Sequence, residues 1–160
     1  MGIYEPKAII AEHQRDNIEE DIHMAVHYET QFTNVGGRVG ESVAIDNTFK
    51  LDQPGEDGKM APGATNPEQL FAASLASCYN GAFLYHMEAA GKKSDVKFIV
   101  TVYLEDDPNY EGTMRVRAVC KVNAPELTKE EIKDFLEKAQ TTSPYTKMFN
   151  GGAILENVVE

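Results

Sequence analysis

Residues 65–79 read TNPEQLFAASLASCY. Asn66 is a favoured N-cap, Pro67 suits the first helical position, and Glu68 falls in the first turn, where the helix dipole favours a carboxylate. The spacing predicts a helix from there to about Ala90, ended by Gly91. Cys78 sits in its middle, on a wheel face shared with Phe71, Ser74, Leu75, Ala82 and Tyr85. Small residues on that face let another element approach closely. A cysteine so placed is either inert packing or a shielded nucleophile, and spacing alone leaves both readings open.

Outward from this helix, the pattern changes to period two. Met24, Val26, Tyr28, Thr30 and Phe32 alternate with Ala25, His27, Glu29 and Gln31, which predicts a strand. After a Gly36-Gly37 turn, Val39, Glu41, Val43 and Ile45 alternate again, completing a hairpin with Arg38 at its second edge. A third strand is expected over Thr48 to Leu51, followed by a polar loop, Asp52 to Gly63, too rich in glycine and proline to pack and expected to be mobile. Downstream, two long strands over Val96 to Glu105 and Thr113 to Val122 flank a turn at residues 106–112. A capping box, Thr128 to Glu131, opens a second helix with Ile132, Phe135, Leu136 and Ala139 on one stripe. That helix is expected to end near Thr142, because Pro144 disfavours helix at Ser143. A last strand is expected over Ala153 to Val159. Three strands, helix, two strands, helix and strand read as α+β with antiparallel sheets. Residues 1–22 read as a polar N-terminal extension and 23–160 as one domain.

Composition narrows the function. The net charge of −11 offers no basic patch to nucleic acid or anionic lipid. Charged and polar residues within the Cys78 helix keep it from spanning a bilayer. The N-terminus lacks a basic flank followed by an apolar run, and two cysteines make no disulfide framework, so a cytoplasmic location is expected. His23 and His27 fall on a predicted strand, too far apart for joint ligation, and His13 and His86 lack partners, so neither metal nor cofactor is expected. No G-x-S-x-G marks a serine hydrolase, and Ser74 or Ser77 in mid-helix lacks the strained turn. Cys120 lies on the apolar face of a strand, with Met114, Val116, Ala118 and Val122, and reads as core.

A free thiol is only about 3% thiolate at neutral pH, and a nearby guanidinium raises that fraction. Arg38 is the candidate cation, and Glu68 could orient it by a bidentate pair. Read alone, Arg38 is better taken as an exposed hairpin residue. The motifs Gly36-Gly37-Arg38-Val39-Gly40, Thr65 to Ala73, Cys78 and Ser143-Pro144-Tyr145 resemble, in order and with compatible spacing over residues 24–160, those of the OsmC/Ohr family, the osmotically inducible and organic hydroperoxide resistance proteins. The resemblance implies an OsmC-like fold of antiparallel sheets around two central helices and an intertwined homodimer with its active site at the subunit interface. It also implies a cysteine peroxidase for organic hydroperoxides, with Cys78 the peroxidatic nucleophile, Arg38 its activating cation and Glu68 the carboxylate that orients Arg38.

One position departs from the pattern. Where Ohr-type members carry a resolving cysteine, this chain has Ser143, so an external thiol would have to reduce oxidised Cys78. Phe71, Leu75, Tyr79, Met148 and Phe149 are expected to line an apolar pocket suited to greasy hydroperoxides. On an ideal helix Glu68 and Cys78 lie about 15 Å apart along the axis and about 80° apart around it. The carboxylate cannot reach the sulfur, so Arg38 must bridge or the pair must come from a second subunit. Two alternatives keep the fold: a catalytically weak dimer that binds a small ligand, and a redox sensor.

Overall fold

The computed structural model describes residues 25–159. The chain separates into Met1–Gln31 and Phe32–Glu160. Of the first unit Ala25–Gln31 are described, without regular secondary structure. The extension over residues 1–22 lies outside the described residues.

The second unit begins with a small sheet of strands β1 (Thr33–Val35), β2 (Glu41–Val43), β3 (Thr48–Leu51) and β4 (Ala64–Thr65), in that order. The predicted hairpin is present but shorter at both arms. Only Thr33–Val35 of the first arm finds a partner, Glu41–Val43, and no strand covers residues 25–32. The start of the second arm is a 3-10 turn, Gly37–Val39. Alternation marks residues able to form a strand, but the ladder requires an aligned neighbour for each. β3 pairs with β4 in parallel, the exception to the antiparallel expectation. The loop between them is less detached than its composition suggests, because half-buried Met60 meets the Nδ2 of Asn66 at 3.5 Å.

Helix α1 (Pro67–Ala89) starts on the Asn66 cap, whose side chain accepts the Gln69 N–H at 2.8 Å. It ends where Gly91, at φ 69°, takes the left-handed turn. Its buried stripe is Leu75, Tyr79, Phe83 and Met87, each four residues from the last. Helix α2 (Lys129–Thr142) carries the full capping box between Thr128 and Glu131 and buries Phe135 and Ala139. The long hairpin of β5 (Lys97–Asp106) and β6 (Met114–Asn123) pairs in unbroken antiparallel register from Lys97↔Asn123 to Asp106↔Met114. Its inner face contributes Phe98, Cys120 and Val122 to the cluster of Tyr79, Phe83, Met87, Phe135 and Ala139. Phe83 is fully buried and meets Phe98 and Phe135 edge-on at 5.4 and 5.7 Å between ring centroids.

After α2 a short helix, α3 (Pro144–Lys147), and a 3-10 turn, Met148–Asn150, follow without warning in the hydrophobic period. The strand expected over Ala153 to Val159 is absent. Residues 152–159 carry no regular structure, with Ile154, Leu155, Val158 and Val159 exposed. Their apolar pattern suits a strand, but no described strand pairs with them. Among the described residues no helix is long and apolar enough to cross a membrane.

Candidate active site

The Gly36-Gly37-Arg38-Val39-Gly40 turn owes its shape to its glycines. Gly36 and Gly37 have φ of 85° and 61°, and a Cβ on Gly40 would lie 1.9 Å from the carbonyl oxygen of Val35. Asn34 pins the turn from inside: its Nδ2 donates to the carbonyls of Gly37 and Glu41 at 3.2 and 3.1 Å, and its Oδ1 accepts the Gly37 N–H at 3.1 Å. Sequence reasoning missed Asn34, although an asparagine just before a glycine turn is a usable signal.

A short path of main-chain bonds carries this turn to the start of α1. The Leu51 N–H donates to Gly40 at 2.8 Å, and the Asp52 N–H donates to Thr65 at 3.0 Å. Since Asn66 caps α1, the first helical turn lies beside the arginine turn. Nη2 of Arg38 accordingly meets both carboxylate oxygens of Glu68, at 2.8 and 2.7 Å. The guanidinium side chain is 46% exposed and the carboxylate side chain 19%. The hydrogen bond from Arg38 holds the Glu68 carboxyl below its ordinary value, against the opposing effect of burial.

Cys78 forms a second cluster. It is half-buried on the flank of α1, not on the helix's buried stripe. The wheel face assigned from sequence was therefore turned too far from the core: Tyr85, placed beside Cys78 on that face, is 64% exposed. The reason is that the stripe follows Tyr79, Phe83 and Met87, whose larger side chains fill the space between hairpin and α2. Sγ of Cys78 lies 3.2 Å from Oγ of Ser143, which the α2–α3 junction brings against α1. Among the described residues no hydrogen bond or ion pair joins the Arg38–Glu68 pair to Cys78.

The five expected pocket residues line two adjoining hollows. Leu75, Tyr79 and Phe149 border one of about 410 Å³, with Cys120 and Gln140 on its wall. Phe71, Met148 and Phe149 border a smaller one of about 230 Å³ that reaches Val116. Cys78 is in neither lining. Cys120 is free, as Cys78 is, and burial pushes its thiol up to about 11. Burial also raises the Tyr79 phenol, whose hydroxyl donates to the Leu136 carbonyl at 3.4 Å. The hydroxyls of Ser74 and Ser77 are turned into their own helix, donating to the carbonyls of Leu70 and Ser74 at 2.8 and 3.1 Å. Neither is poised as a nucleophile.

A glycine-built arginine turn locked onto the first turn of a long cysteine-bearing helix defines a recognisable class of α+β protein. Residues 55–156 match the OsmC-like protein family, and the chain belongs to that family. It is 39% identical over 144 residues to an organic hydroperoxide resistance protein-like protein of Staphylococcus aureus, covering 86% of this chain and all of that one. Organic hydroperoxide resistance protein-like 1 of Staphylococcus epidermidis is 43% identical over 133 residues, covering 80% of this chain and 91% of that one. Among solved structures, the organic hydroperoxide resistance protein OhrB of Bacillus subtilis superposes with a TM-score of 0.69 at 28% identity, over 78% of this chain and 92% of that one.

Proposed function

We propose that this chain is a thiol peroxidase that reduces organic hydroperoxides. The observation that carries the reading is the Arg38–Glu68 pair, in which a carboxylate fixes the direction of a half-exposed guanidinium. The thiolate of Cys78 attacks the distal oxygen of the hydroperoxide, giving an alcohol and a sulfenic acid. Arg38 steadies the thiolate and the oxygen on which charge develops, with Glu68 holding it aimed. The apolar walls around Phe71, Leu75, Tyr79, Met148 and Phe149 favour a hydrocarbon-bearing substrate. The organic hydroperoxide resistance named for the relatives supports the same substrate class.

The working unit is a homodimer of the domain spanning residues 23–160. Within one chain the cation is held at the first turn of α1 by Glu68 while the thiol sits at the middle of that helix, and a twofold partner supplies one to the other. Exposed apolar side chains near the turn end of the long hairpin, Leu104, Met114 and Val116, together with Met148 and Phe149, give such a partner a face to cover. Ser143 opposite Cys78 favours a second reading, a redox sensor that is oxidised once and not recycled.

The test is turnover of cumene hydroperoxide with dithiothreitol by pure protein, with size measured by light scattering. Turnover lost in Cys78→Ser supports the peroxidase. One round of oxidation without recycling selects the sensor, and no oxidation of Cys78 by mass spectrometry overturns both. A monomer that turns over at full rate refutes the shared site.

A further inference from the structure

Ser143 is 1% exposed and every polar atom it carries is engaged. Its N–H donates to the Ala139 carbonyl at 2.8 Å. Its own carbonyl accepts from Oγ1 of Thr146 at 2.9 Å and from the Lys147 N–H at 3.2 Å. As the cap of α3, its Oγ accepts the Thr146 N–H at 3.4 Å. A hydroxyl has one proton to give, and among the described residues the partner left for that proton is Sγ of Cys78, 3.2 Å away. While Cys78 is a thiol either atom can donate. Once the sulfur ionises, only the hydroxyl can. The Thr146 N–H behind it polarises the hydroxyl in the direction that strengthens this last bond.

We infer that Ser143 is a donor of the redox site, holding the Cys78 thiolate and then its oxidised form, and that it makes this chain's cycle a one-cysteine cycle. This deepens the peroxidase reading and rests on it. The thiolate sulfur attacks the hydroxyl oxygen of the hydroperoxide. An S–O bond forms, the O–O bond breaks, two electrons pass from sulfur to peroxide, and the departing alkoxide takes a proton from water. Ser143 has no thiol with which to displace the new hydroxyl group. A low-molecular-weight thiol therefore attacks the Cys78 sulfur, releasing water and leaving a mixed disulfide. A second such thiol displaces Cys78, restoring it and carrying both electrons' worth of oxidation away as a small disulfide.

The test compares the full chain with Ser143→Ala, Ser143→Thr and Ser143→Cys, following Cys78 oxidation by one equivalent of cumene hydroperoxide and trapping with dimedone. Ser143→Ala is expected to slow oxidation about tenfold or more, the scale of a lost hydrogen bond to a charged group. Ser143→Thr, which keeps the hydroxyl, is expected to stay within about threefold of the parent, separating donation from packing. The parent is expected to gain one oxygen and form a dimedone adduct. Ser143→Cys should instead lose two hydrogens to a disulfide that excludes dimedone. If the parent does not oxidise at Cys78, the peroxidase reading falls. If it oxidises and Ser143→Ala is equally fast, the donor role alone is overturned. Should Ser143→Ala fail to fold, Ser143→Cys decides: a disulfide supports the placement of residue 143 against the sulfur, and a persistent dimedone adduct overturns it.

Discussion

Replacing Glu68 with glutamine keeps the shape of the Arg38 partner and removes its charge. In the native pair one Nη2 reaches both carboxylate oxygens at 2.8 and 2.7 Å, and the neutral amide can accept at only one of its two ends. An exposed ion pair contributes about 0.2–1 kcal/mol, whereas a hydrogen bond to a charged group contributes about 1.5–3. Here the arginine is half in solvent and the carboxylate mostly covered, so a value near 1 kcal/mol is expected. That is about a fivefold loss in the aimed guanidinium population and an equal fall in kcat/KM. Arg38→Ala, which removes the donor itself, should cost roughly 100-fold or more. The assay is hydroperoxide turnover at neutral pH, with unfolding followed in parallel. The folded carboxyl lies below its ordinary 4.5, so the pair's contribution is complete above that pH and is lost as pH falls through the folded value. A Glu68→Gln protein as fast as its parent refutes the orientation argument. A fall as deep as that of Arg38→Ala would show that Glu68 does more than aim.

Phe83→Ala should destabilise the fold by about 3–5 kcal/mol, since the ring is fully buried and joins α1 to β5 and α2; urea unfolding reads this as a lower midpoint. Gly40→Ala, whose new methyl would meet the Val35 carbonyl, should cost more than about 1 kcal/mol and lower turnover by displacing Arg38, a loss absent from Gly112→Ala at the far hairpin if the effect is specific. Cys120→Ser should leave hydroperoxide turnover nearly unchanged, because its thiol is pushed up to about 11 and stays protonated at neutral pH; a large loss would move the chemistry to that cysteine.

Local signals served well where one segment carried its own partner. Asn66 and Pro67 begin α1, Thr128 and Glu131 close a complete capping box, and the ten-residue strands of the long hairpin lie within a residue of their predicted limits. Legibility failed where structure depends on a distant neighbour. Residues 25–32 alternate as a strand should and 153–159 are apolar enough to form one, yet no described strand pairs with either. The two residues of β4 are too short to show a period, although they set α1 beside the arginine turn. Arg38 and Glu68 were legible as a pair through their motifs. The nearness of Ser143 to Cys78 was implied only by the resemblance, which puts 143 at the resolving-cysteine position; no local signal shows how the α2–α3 junction brings the hydroxyl against the sulfur.

The location of Cys78 at the midpoint of α1 bears on how the sulfur is reached. Helices fray from their ends, and the central turns of a helix packed on both hairpin and α2 open only with the fold as a whole. Backbone fluctuation therefore gives no shortcut to this thiol. Whatever reduces it must reach a half-buried sulfur on the flank of a closed element. Slow amide exchange at Ser77 to Tyr79 alongside rapid thiol chemistry would be the signature of an atom that is chemically open on a mechanically closed element.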